Sequence, residues 1–108
     1  MKEDKIYLAQ IIDSVNKIKD FTKDFSYEAF RSDQKTQSAV IMQLAIIGEI
    51  SKRLSQDTTE EIDLPWRQIS SFRDRAIHDY YQIDIDIVWN TINSDLHELE
   101  SKILAFLD

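Results

Sequence analysis

Apolar residues recur at helical spacing along almost the whole chain. Tyr7, Leu8, Ile11, Ile12, Val15 and Ile18 stand three and four apart, the stripe of an amphipathic helix. They predict a first helix of roughly twenty residues with Asp4 as its cap, and Phe21 and Phe25 extend its apolar surface. Ser26 is placed to cap a short turn from Tyr27 to Phe30. Ser32 or Asp33 caps a second helix, over about 33–55, whose broad apolar face carries Ala39, Val40, Leu44, Ile47 and Leu54. Gly48 falls in its middle, where glycine costs ~1 kcal/mol relative to alanine. It reads either as a close packing or dimer contact or as a tolerated surface glycine.

Gln56 to Leu64 is polar and acidic and reads as a loop, with room for a turn capped by Thr58 or Thr59. Pro65 suits the first turn of a third helix, where its missing N–H costs nothing. That helix runs through Trp66, Ile69, Phe72, Ala76 and Ile77. Ile83 to Ile87 alternates like a strand but is too short and isolated to pair. Asp84 is read instead as the cap of a fourth helix, with Val88, Trp89 and Ile92 packing inward. At Asn93-Ser94-Asp95 the helix kinks or restarts, and Ser94 or Asp95 with Glu98 makes a new cap. Leu96, Leu99, Ile103 and Phe106 carry the stripe to the end. The expected fold is all-α: an antiparallel bundle of four to five helices in one domain spanning 1–108.

Composition narrows the classes. One glycine and one proline favour long helices over a sheet built on tight turns. The absence of cysteine excludes disulfides and thiolate metal sites. Charges occupy the N-terminal segment where a signal peptide needs its apolar stretch. No apolar run approaches the ~20 residues of a membrane span, so the expected location is the cytoplasm. The net charge of −7 argues against broad, nonspecific nucleic-acid binding, which needs clustered Lys and Arg. An RNA-acting protein of this composition must rely on a local basic pocket or on residues pooled from two chains.

The candidate chemistry lies in Arg73-Asp74-Arg75-Ala76-Ile77-His78-Asp79-Tyr80-Tyr81, in a chain with only two histidines. On a helix, Arg73, Ile77 and Tyr80 share one face and Asp74 and His78 share the adjacent one. Arg73 and His78 stand about 140° apart at 3.6 residues per turn. A site that uses both therefore needs the long arginine stem to reach around, a distorted helix, or a partner chain. His78 can exchange protons near neutrality. Asp74, one turn earlier, is placed to orient it. Arg73 can donate paired hydrogen bonds to phosphate oxygens. Those parts suit RNA cleavage in which the ribose 2′-hydroxyl attacks the adjacent phosphate, with no metal and no cofactor. One histidine does not serve readily as both base and acid, so two copies in a twofold dimer would complete the set.

Plain structural readings fit the same residues. Asp74 and His78 make an ordinary surface pair, Arg73 and Arg75 a solvated charged face, and Tyr80 a core-edge aromatic. His97, between Asp95 and Glu98, reads as a surface histidine. Glu49, among apolar neighbours, either faces the site or pairs with Lys52 or Arg53, the pair being the favoured reading.

The chain resembles the HepT-like HEPN ribonuclease toxins over nearly its whole length. The matching segments are AIIGEISKRLS in the second helix and PWRQISSFRDRAIHDYYQIDIDIVW across the third and into the fourth. Arg73, His78 and Tyr80 spell the family's Arg-x4-His-x-Tyr signature. Gly48-Glu49-Ile50, Pro65-Trp66 and Val88-Trp89 make the match more specific. The resemblance implies an all-helical homodimer with a composite ribonuclease site in its cleft. Arg73 and His78 are then catalytic, with Asp74 at the polar position after the arginine. It further implies a toxin acting on RNA and paired with a nucleotidyltransferase antitoxin, which transfers AMP from ATP onto the motif tyrosine, here Tyr80 rather than its neighbour Tyr81. The competing readings are a non-catalytic helical dimer that binds a nucleotide or protein partner, and a regulatory subunit of the nucleotidyltransferase.

Overall fold

The computed structural model describes residues 2–108. Seven α-helices follow one another: α1 (Lys2–Thr22), α2 (Tyr27–Arg31), α3 (Gln34–Ser51), α4 (Gln56–Glu61), α5 (Trp66–His78), α6 (Ile85–Asn93) and α7 (Asp95–Leu107). A single 3₁₀ turn, Tyr80–Gln82, joins α5 to α6. The expected all-α class holds, and the five long helices are α1, α3, α5, α6 and α7. Among the described residues, no helix is long and apolar enough to cross a membrane.

The core forms where the stripes meet. Leu8, Ile11, Val15 and Ile18 of α1 face Val40, Ile41 and Ile47 of α3, with Val88 and Ile92 of α6 and Leu96, Leu99 and Ile103 of α7 closing it. Phe30, the one buried residue of α2, packs on Trp89 with ring centroids 5.2 Å apart. Caps set several boundaries as the pattern predicts. The hydroxyl of Ser26 accepts from Ala29 N–H, the Asp33 carboxylate from Thr36 N–H, and the Asp84 carboxylate from Asp86 N–H.

Four local expectations are corrected. Asp4 does not cap α1, which starts at Lys2. Its carboxylate is 3% exposed and accepts from the Ser55 N–H, from the Ser55 hydroxyl at 2.5 Å and from the Thr58 hydroxyl at 2.6 Å. The polar stretch expected to be a loop contains α4, capped by Ser55 rather than Thr58 or Thr59, because Thr58 is buried against Asp4. The second long helix stops at Ser51, short of 55. At the α6–α7 break, Ser94 takes the cap position without capping; its hydroxyl donates back to Asn90 C=O at 2.7 Å.

Gly48 is a packing contact within the chain. A Cβ there would stand 2.7 Å from the Ile69 carbonyl oxygen and 3.3 Å from Arg73 Cβ. Residue 48 therefore lets the α5 backbone lie directly on α3. The two helices run antiparallel, since Ser51 meets Ser70 at 2.9 Å at one end and Ser38 meets Tyr80 at 2.6 Å at the other. α5 has no fully buried residue. Ile69, Phe72 and Ala76 are half-buried against the core, so the helix sits as an outer layer.

Two outcomes follow. Gly48→Ala gains ~1 kcal/mol of helix propensity but forces a methyl against backbone that cannot rotate away, an overpacking cost of about 1–3 kcal/mol. The expected result is a lower urea midpoint; a more stable variant would contradict the close approach. The Asp4 carboxyl is held below its ordinary value of 3.8, first by the Ser55 hydroxyl and then by Thr58. A depressed carboxyl stabilises the fold above its unfolded pKa, and that contribution is lost as pH falls through the folded value. Asp4→Ala leaves buried Thr58 without its acceptor and is expected to cost about 1–3 kcal/mol at pH 7. The difference from wild type should shrink below about pH 4 in thermal melts taken across the pH range.

Candidate functional site

The antiparallel contact of α3 and α5 leaves a shallow groove on the outer side of the pair. Ser38, Met42 and Glu49 line it from α3, Arg73 and Ile77 from α5, and Tyr80 from the 3₁₀ turn. Arg73, Ile77 and Tyr80 therefore keep the common face that helical spacing predicts, although α5 ends at His78 and Tyr80 lies beyond it. His78 does not line the groove; it is the last residue of α5, exposed on the adjacent face.

Arg73 is held at both edges of its guanidinium. Nε forms an ion pair with Glu49 Oε1 at 3.1 Å, and Nη1 donates to Asp74 Oδ1 at 3.3 Å. Nη2 makes no ion pair among the described residues. Glu49 thus pairs with Arg73, not with Lys52 or Arg53 as expected, because the missing side chain at Gly48 brings α5 within reach. Asp74 does not orient His78. Its carboxylate takes Arg73 and, at 3.4 Å, Lys52 Nζ. Those two hydrogen bonds, Arg73's the larger, lower the Asp74 pKa below the usual 3.8. The His78 side chain makes no hydrogen bond or ion pair among the described residues.

Within one chain, the two cations Arg73 and Lys52 are matched by the two carboxylates Glu49 and Asp74. The local basic pocket anticipated for an RNA-acting protein is therefore not present in one copy. Both rims of the groove are apolar and open: Met42 is 59% and Ile77 55% exposed. Tyr80 is fixed by Ser38, whose hydroxyl lies 2.6 Å from its own. Tyr81 stands edge-on to it and is 97% exposed. Arg75 leaves the groove and lies over the Phe72 ring, 5.9 Å from its centroid. His97 is an exposed residue of α7. Among the described residues, no three His, Asp or Glu side chains converge as a metal site would require.

Residues 11–106 match the family described as Ribonuclease HepT-like. The chain belongs to that family. It is 38% identical over 99 residues to a probable ribonuclease HepT of Thermococcus cleftensis, covering 91% of this chain and 90% of the relative. A candidate RNase of Methanocaldococcus jannaschii is 36% identical over 107 residues, covering 94% and 88% of the two chains. A candidate RNase of Caldanaerobacter subterraneus is 32% identical over 108 residues, covering 99% and 96%. No solved structure gives a significant match. In this HepT-like chain the Arg73, His78 and Tyr80 signature straddles the end of α5: the arginine inside the helix, the histidine at its last position, the tyrosine in the turn.

The groove residues Ser38 and Met42 escaped the sequence reading. Both were signalled. Ser38, Met42, Ala45, Glu49 and Lys52 recur at three- and four-residue spacing and form a second stripe of α3 beside its core-facing one.

Proposed function

We propose that this HepT-like protein is a metal-independent endoribonuclease, the toxin of a toxin–antitoxin pair, acting as a homodimer. The observation that carries the reading is the Arg73 side chain. It lines an open groove and is aligned by Glu49 and Asp74, and its Nη2 makes no ion pair among the described residues, in a chain of a ribonuclease family. A phosphate meeting Nη2 receives a charge-assisted hydrogen bond from a guanidinium already held in place.

In the proposed reaction the ribose 2′-oxygen attacks the adjacent phosphorus and the bond to the 5′-oxygen breaks. His78 accepts the 2′-hydroxyl proton, and the His78 of a second copy supplies a proton to the departing 5′-oxygen. The products are a 2′,3′-cyclic phosphate and a 5′-hydroxyl. The role of Asp74 is to hold Arg73. Dimerisation is favoured by the exposed Met42 and Ile77 beside the groove and by the reaction's need for a second histidine. Purified protein is expected to cut RNA in excess EDTA and to leave cyclic phosphate ends. Arg73→Ala and His78→Ala, still folded, should each lose about 10²-fold or more in rate. Cutting by both variants at the wild-type rate would refute the assignment.

Tyr80 is the proposed acceptor of AMP from a cognate nucleotidyltransferase. Its phenolic oxygen attacks the α-phosphorus of ATP, pyrophosphate leaves and the phenolic proton is released. The added phosphate then sits in the groove with Arg73, where its charge and bulk block RNA. Incubation with the nucleotidyltransferase and ATP should add AMP mass to the Tyr80 peptide and abolish cutting. Modification confined to Tyr81 would transfer the role to that residue.

A further inference from the structure

The turn after α5 is lightly held. Its backbone is closed by Asp79 N–H to Arg75 C=O at 2.8 Å, Gln82 N–H to Asp79 C=O at 2.9 Å and Ile83 N–H to Tyr80 C=O at 3.2 Å. All three bonds are local, and none ties the turn to another helix. Asp79 itself has φ −129° and ψ 36°, outside the helical region, so the chain changes direction immediately after His78. Ile83 anchors the far end in the core. Among the described residues, Tyr80 to Ser38 is the one side-chain hydrogen bond made anywhere from Arg75 to Ile83. It joins the turn to α3, the helix that also supplies Glu49 to Arg73.

We propose that Ser38 is a positioning residue of the ribonuclease site. Through the Tyr80 hydroxyl it fastens the turn to α3 and so fixes where His78, two residues earlier, stands relative to Arg73. This rests on the ribonuclease reading above. Arg73 is already set by two carboxylates, whereas His78 has no side-chain partner of its own, so its placement depends on the backbone that follows it. Ser38 can serve because it lies on the groove stripe of α3, ten residues before Gly48, at the end of the helix pair where α5 runs out.

The experiment compares Ser38→Ala, Tyr80→Phe, the double variant and Ser38→Thr, each checked for an unchanged melt. A typical net hydrogen bond predicts a three- to tenfold effect, roughly. Ser38→Ala and Tyr80→Phe should lower kcat by about that factor with KM little changed. The double variant should be no worse than either single, because both remove the same bond, and Ser38→Thr should restore the rate. Amide hydrogen exchange at Gln82 and Ile83 should speed up by a similar factor, roughly, in Ser38→Ala. A rise in KM with kcat intact would make Ser38 an RNA contact and overturn the proposal, as would additive losses or failed rescue by threonine. If wild type does not cut RNA, the ribonuclease reading falls and with it the site role. The exchange rates then judge the fastening alone, and unchanged rates refute it too.

Discussion

The site exists because two helix backbones can touch at residue 48. With any side chain there, α5 would be lifted off α3, and the pairs that cross the seam would part: Glu49 from Arg73, Ser51 from Ser70, Ser38 from Tyr80. Helices usually pack 8–10 Å apart, at a distance set by the contacting side chains. Here the contact is set by a carbonyl of Ile69 facing a bare Cα. Glycine's propensity penalty of ~1 kcal/mol in a helix is the cost of this approach.

The same seam organises charge. Glu49 and Asp74 grip one guanidinium from two helices, and Lys52 offsets the second carboxylate. Exposed ion pairs of this kind contribute little to stability. Their effect is geometric, because they remove rotamer freedom from a long side chain before any anion arrives. The arrangement holds one arginine in place in a chain whose net charge is −7.

The sequence pattern disclosed the long helices, the Asp84 cap, Asp33 as one of two candidate caps, and the break near Ser94, because periodicity and capping are local properties. It also separated the Arg73–Tyr80 face from His78, since that follows from angles on one helix. The partners of Asp4 were out of reach: Ser55 and Thr58 lie more than fifty residues away, and a first-turn aspartate looks like a cap whichever role it has. The ion-pair partner of Glu49 was out of reach for the same reason. Lys52 and Arg53 are neighbours in sequence, whereas Arg73 becomes a neighbour only through Gly48. The choice left open for Gly48, packing contact or surface glycine, could be settled only by seeing what stood opposite it.

The complete lack of buried residues in α5 bears on how such a scaffold can diversify. Core packing constrains the buried positions of α1, α3, α6 and α7, since deleting buried methylenes there is costly. On α5, substitutions at surface positions fall mostly within about 0.5 kcal/mol. The fold thus rests its core on one set of helices and leaves the exposed face of α5 freer to vary. An α5 carrying different side chains on its exposed face could be laid into the same seam, provided that position 48 stays bare and Ile69, Phe72 and Ala76 keep their packing against the core.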